Sequence, residues 1–179
     1  MTEHITTTSW KHSPSPFFND RPEGVTIDLL VIHSISLPEG EYGNGHIEQL
    51  FLGQLDPGQH PSFESLREMK VSAHLVIDRE GGITQFVPFA KRAWHAGVSS
   101  FAGRENCNDY SIGIELEGTD HSSFTEAQYE ALNQVIRVLQ ENYPGITSSR
   151  IVGHSDIAPG RKKDPGVGFE WGRLYEKRI

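Results

Sequence analysis

Two apolar stretches limit what this chain can fold into. "TIDLLVIHSI" (residues 26–35) is apolar on both faces, as expected of a central strand covered on both sides of a sheet. "YSIGIELEG" (110–118) reads as a second central strand of a different kind. A period of two puts Ile112, Ile114 and Leu116 on one face, and Ser111, Gly113, Glu115 and Glu117 on the other.

The remaining segments supply the layers such strands need. "VSAHLVIDREGGITQFVPF" (71–89) is a β-hairpin, with two β-type runs flanking a turn whose glycines tolerate positive φ. Leu132, Val135, Ile136, Leu139 and Tyr143 form a helical stripe. Thr125 and Gln128 have the spacing of a capping box before it, and Pro144 and Gly145 stop it. Short helices are predicted over 45–53 and 61–68, a short strand over 149–156 and a terminal helix over 169–178. Pro14, Pro16 and Pro22 discourage regular structure in residues 1–24, which read as an irregular arm. The expected fold is α/β: a single domain over 25–179, with one mixed sheet flanked by helices.

Composition narrows the function classes. A net charge of −8 argues against a nucleic-acid partner, which would require net neutralising cations. The lone Cys107 permits no intrachain disulfide and fits a reducing compartment. No apolar signal segment opens the chain, and the aliphatic run Leu29–Ile32 is too short to cross a bilayer. A cytoplasmic protein without membrane contact is expected, as a monomer.

His33 closes the first strand, His154 lies toward the end of the strand segment 149–156, and Asp164 lies on the glycine-flanked loop "GHSDIAPGRKKDPG" (153–166). Two imidazoles and a carboxylate make a three-ligand zinc set with an open fourth position. A core histidine, a capping histidine and a loop aspartate are the plainer alternative, since no HExxH or CxxC pair sharpens the pattern. Glu115 is a carboxylate in an apolar strand, with Gly113 leaving room on its face, and suits a general base. A solvated polar face that also carries Glu117 explains it equally. Lys162 would stabilise an oxyanion and Arg161 would hold a carboxylate, unless Arg161, Lys162 and Lys163 are simply solvated. Trp94 offers a platform for a sugar ring unless it simply packs, whereas His95 reads as a hydrogen-bonded turn residue and Cys107 as structural. Segment 36–70 carries the Pro and Gly residues of a lid. Serine-hydrolase, nucleotide and dinucleotide motifs are missing.

The segments "LLVIHSISLPEG", "VSAHLVIDREGGITQFVPF", "KRAWHAGVS", "CNDYSIGIELEGTD", "TEAQYEAL" and "GHSDIAPGRKKDPG" together resemble the zinc-dependent N-acetylmuramoyl-L-alanine amidases, whose fold is shared with the peptidoglycan recognition proteins. The resemblance runs from about Ser13 to Trp171 and is nearest to the cytoplasmic branch that recycles 1,6-anhydro-muropeptides. It implies one Zn2+ per chain on His33, His154 and Asp164, with Glu115 as acid/base and Lys162 as oxyanion partner. It implies that Trp94, Ala158 and Arg161 line the substrate site, with Asn106 where some relatives carry arginine. Ser34 stands where close relatives typically carry asparagine. The implied reaction cleaves the amide between the muramic lactyl group and L-alanine of an anhydro-muropeptide, with an influence on β-lactamase induction. A non-catalytic muropeptide-binding module on the same fold is the alternative, and the intact ligand set with Glu115 and Lys162 argues against it.

Overall fold

A six-stranded sheet forms around the two expected central strands, in a computed structural model that describes residues 10–174. In chain order the elements are β1 (Lys11–His12), β2 (Phe18–Asn19), β3 (Leu29–Ile35), α1 (His46–Phe51), β4 (Leu75–Ile77), β5 (Ile83–Gln85), β6 (Arg92–Ala93), β7 (Ser100–Phe101), β8 (Arg104–Glu105), β9 (Ser111–Glu117), α2 (Glu126–Asn142), β10 (Ile151–Gly153) and α3 (His154–Ile157). The sheet order is β1-β5-β4-β9-β3-β10. The β4–β5 hairpin is antiparallel and every other neighbouring pair is parallel, so the sheet is mixed as expected.

The two faces of the sheet have different tasks. Ile112, Ile114 and Leu116 of β9 join Leu30 and Ile32 of β3, Leu75 and Ile77 of β4, and Leu132, Val135, Ile136 and Leu139 of α2 in one core. Each such buried side chain contributes roughly 1.5–3 kcal/mol by leaving water. The capping box at the head of α2 is present: Gln128 N donates to Thr125 Oγ1 at 3.1 Å, and Thr125 N donates to Gln128 Oε1 at 3.0 Å. Gln128 Nε2 also donates to the carbonyls of Ile77 and Glu117, which ties the helix to β4 and β9. The opposite sheet face carries Leu29, Val31 and His33 of β3 beside the polar residues of β9. Two smaller apolar clusters flank it, one around Leu50, Phe51 and Val76, the other around Val31, Cys107 and Ile157.

Several local expectations need correction. Residues 10–24 of the supposed irregular arm are built into the domain, since β1 pairs with β5 and β2 with β6. Ser15 Oγ donates to Phe51 O, and Arg21 donates to the carbonyls of Phe89, Asn108, Asp109 and Ser111. A two-residue strand has no periodicity to read, so prolines alone set the expectation. The segment at 61–68 forms a 3-10 helix over Pro61–Leu66, and the described part of the expected terminal helix forms a 3-10 turn over Trp171–Leu174. Residues 1–9 of the arm and 175–178 of that helix lie outside the described residues.

His74 sits under the hairpin, fully buried, with Nε2 donating to Lys91 O at 3.0 Å and Nδ1 accepting from Gly113 N at 3.0 Å. Burial, followed by the nearby Arg21 charge, lowers its pKa to about 3. In the unfolded chain it titrates near 6.5. Between those values the unfolded state binds a proton that the folded state refuses, so stability rises with pH and is lost on acidification. For metal-free protein, the unfolding free energy between pH 6 and 4 is expected to fall more steeply in the wild type than in His74→Gln. The difference is about 1.4 kcal/mol per pH unit. Denaturant titrations across that range check it, and equal slopes would remove His74 from this account.

Candidate active site

Parallel pairing brings the chemistry to the carboxyl ends of adjacent strands, where sites collect in α/β sheets. His33 on β3 lies in direct register with Glu115 on β9. On the other side of β3, β10 ends at Gly153 and delivers His154 as the first residue of α3. The following loop returns Asp164 to the same point, where its carbonyl accepts from Ser155 N at 3.0 Å. Gly166 sustains that return with φ +88° against Asp120, whose carbonyl oxygen would lie 2.0 Å from an added Cβ. Val167 N donates to that same carbonyl at 3.0 Å.

Three side-chain atoms converge at this point. His33 Nδ1 is 3.0 Å from His154 Nδ1 and 3.0 Å from Asp164 Oδ2, and His154 Nδ1 is 3.1 Å from Asp164 Oδ2. All three residues are buried. The other ring nitrogen of His154 donates to Ala96 O at 3.1 Å, which fixes its proton on Nε2. In the neutral ring Nδ1 is then a lone pair facing a carboxylate oxygen, a repulsive contact unless a cation lies between them. Burial lowers the His33 pKa to about 4, so the His33 ring is neutral at ordinary pH. The chemistry of the donor set therefore fits a divalent metal. A tetrahedral zinc with bonds of 2.0–2.1 Å has edges of about 3.3 Å, close to the observed triangle. Among the described residues this is the group of His, Cys, Asp and Glu side chains able to share an ion.

Glu115 faces the same space. It is buried, and its Oε2 finds no hydrogen-bond partner among the described residues. Burial, reinforced by the Asp164 charge, pushes its pKa well above the ordinary carboxylate value, and Lys162 opposes this. A cavity of about 290 Å³ opens over His33, Glu115, His154, Lys162 and Asp164, with Trp94 also in its lining. Leu37, Leu50, Phe51, Leu66 and Met69 of the 36–70 segment give that cavity an apolar wall.

The family of N-acetylmuramoyl-L-alanine amidases matches residues 23–167 of this chain. The chain belongs to that family. It is similar to the 1,6-anhydro-N-acetylmuramyl-L-alanine amidase AmpD of Haemophilus influenzae, with 53% identity over 166 residues, covering 93% of this chain and 90% of that protein. A crystal structure of a selenomethionine AmpD derivative has 49% identity and a TM-score of 0.93, each chain covered to 97%. The Escherichia coli amidase AmiD, in complex with anhydro-N-acetylmuramic acid-L-Ala-D-γ-Glu-L-Lys, has 31% identity and a TM-score of 0.61, over 87% of this chain and 59% of that one.

The amidase fold distributes the remaining expected residues between two cavities. Trp94 lines the space over Glu115. Its indole N–H donates to Asn19 Oδ1 at 2.7 Å, and its ring stacks on Phe17, so the former arm holds it. Asn106, Ala158 and Arg161 instead line a separate cavity of about 390 Å³. Arg161 Nη2 is occupied by the carbonyls of Ala96 and Val98, both at 2.7 Å, which leaves less than its full fork for a substrate. Arg161, Lys162 and Lys163 are exposed. Ser34 Oγ reaches Asp120 Oδ1 at 3.5 Å, beside the loop that returns Asp164. Cys107 is buried, with Sγ 3.2 Å from the Tyr110 hydroxyl, in keeping with a structural residue. The polar face of β9 is buried and not solvated, for Ser111, Glu115 and Glu117 are all enclosed. Gly113 makes room for His95 and not for Glu115: an added Cβ would lie 2.4 Å from His95 Cγ. The sequence alone reads His95 as a turn residue, whereas its ring lies beside His33, with Nδ1 2.9 Å from His33 Nε2. The glycine that faces it was the available signal.

Proposed function

We propose that this amidase hydrolyses the amide joining the lactyl group of 1,6-anhydro-N-acetylmuramic acid to the L-alanine of its stem peptide, in peptidoglycan recycling. The observation that carries this reading is the meeting of two histidine lone pairs and a carboxylate beside a buried glutamate whose Oε2 is unpartnered. The substrate is supported by the similarity to AmpD and to AmiD bound to an anhydro-muropeptide. The reading makes the enzyme a monomer of the bacterial cytoplasm acting on a small muropeptide. No helix among the described residues is long and apolar enough to cross a membrane.

His33, His154 and Asp164 would hold a zinc ion, which when bound supplies Lewis-acid polarisation of the amide carbonyl. Glu115 takes a proton from the attacking water and returns it to the alanine nitrogen as the C–N bond breaks. Its burial suits it to both halves of this task, because a raised pKa makes it a better base than a solvated carboxylate. Lys162 lines the same cavity, and its ammonium compensates negative charge developing on the carbonyl oxygen. The apolar wall of the 36–70 segment keeps bulk water from competing for these charges. Trp94 offers its ring to the sugar. Asn106, Ala158 and Arg161 contact more distant parts of the substrate.

The test compares an anhydro-muramyl peptide with a plain peptide amide of the same stem, before chelation, after chelation and after zinc is restored. Release of an L-alanine-headed peptide is expected from the muramyl amide alone, to be lost on chelation and to return with zinc. Binding without turnover in the zinc-loaded protein would make this a recognition module. Turnover indifferent to chelation would sink the metal part of the reading.

A further inference from the structure

Both histidines of the converging trio are steadied by one two-residue step of chain, His95–Ala96. His33 Nε2 lies 2.9 Å from His95 Nδ1, and His95 Nε2 lies 3.1 Å from Ser111 Oγ. The next residue supplies the carbonyl that accepts from His154 Nε2. A single oxygen, Asn108 Oδ1, accepts from the backbone N–H of His95 at 3.1 Å and of Ala96 at 2.8 Å, so the step is pinned at both amides. The His95 ring packs against Gly113, where an added Cβ would lie 2.4 Å from its Cγ. Ser111 is fully buried on the same face of β9 as Glu115.

A neutral imidazole carries one proton, so a chain of two rings and a hydroxyl has just two proton orders, set by whether the hydroxyl accepts or donates. With Ser111 Oγ accepting from His95 Nε2, His95 Nδ1 is a lone pair. It then accepts from His33 Nε2, and this leaves His33 Nδ1 free of hydrogen and aimed at His154 Nδ1 and Asp164 Oδ2. The opposite order would put a proton on His33 Nδ1, where a metal must bind. Partners on the outer nitrogen of a ligating histidine fix its tautomer and raise its affinity.

We infer that His95 and Ser111 form a positioning relay that presets the tautomer of His33 for metal binding, while Ala96 does the same for His154. The inference rests on the zinc reading above and assigns no contact with substrate to either relay residue.

The experiment uses the full chain as wild type, His95→Phe and Ser111→Ala. It measures zinc affinity by chelator competition and the His33 tautomer by nitrogen and carbon NMR shifts of the metal-free protein. In the wild type the His33 proton is expected on Nε2. His95→Phe is expected to weaken zinc binding by about 10–100-fold. Ser111→Ala is expected to weaken it less and to move part of the His33 population to the Nδ1–H form, a change that loosened packing alone would not produce. A His33 proton on Nδ1 in the metal-free wild type overturns the relay, and so does zinc affinity unchanged in both variants. Should His95→Phe not fold, the smaller change at Ser111 decides by the same two readouts. Should the wild type bind no zinc, the metal reading fails, and the His33 tautomer still separates a preset relay from none.

Discussion

Glu115→Gln is expected to lower kcat by about 10²–10⁴-fold while zinc content stays at the wild-type level. The substitution keeps the shape of the side chain and removes its ability to accept a proton. Glu115 shares the cavity with the trio but contributes none of the three converging atoms. Loss of turnover with retained metal is thus the signature of a base, and joint loss of both would point to misfolding. A second readout has the opposite sign. A buried carboxylate lacking a partner on Oε2 is costly when charged, so the amide is expected to melt no lower than the wild type. The pH dependence follows from the same burial. Because the folded-state pKa is raised, ionising Glu115 costs stability as pH rises above the unfolded value near 4.3, the reverse of the His74 effect. The acid limb of kcat/KM is expected well above that value and to vanish from the residual activity of the variant. Normal turnover in Glu115→Gln would end its assignment as the base.

The parts of this molecule that were legible in the sequence share one property: a repeated local pattern. The alternation of β9 marked Ile112, Ile114 and Leu116 as core, and the stripe and capping box of α2 marked that helix almost to its ends. Residue types at two strand ends and on one loop marked His33, His154 and Asp164, although spacing alone left a plain alternative open. Their convergence depends on the parallel neighbours of β3 and on the tight passage of Gly166 against Asp120, and neither is a local signal. What stayed hidden lacked periodicity altogether. Two-residue strands turned an apparent arm into part of the domain. The enclosure of the polar face of β9 comes from segments distant in the chain, so Glu115 and Glu117 could equally have been solvated. Gly113 signals spare room on a strand face, but the side chain that fills it, His95, comes from a segment outside the strand and leaves no local pattern.

Asp164→Ala is expected to weaken zinc binding by more than about 100-fold, beyond the loss that follows removal of an outer partner of a ligand. With the carboxylate gone, two neutral nitrogens 3.0 Å apart remain, and neither offsets the charge of a divalent ion. The fold itself should persist. The loop is held by its backbone, through Ser155 N to the Asp164 carbonyl and Val167 N to Asp120 O, and none of these bonds uses the carboxylate. Metal analysis after dialysis against a weak chelator, with circular dichroism as control, checks both halves. Full zinc occupancy in Asp164→Ala would remove it from the ligand set. Asp164→Asn then separates charge from shape. It keeps an oxygen at the same place, so if shape sufficed it would bind as the wild type does. If the facing lone pairs of His33 and His154 require a cation balanced by a negative ligand, it should fall with Asp164→Ala.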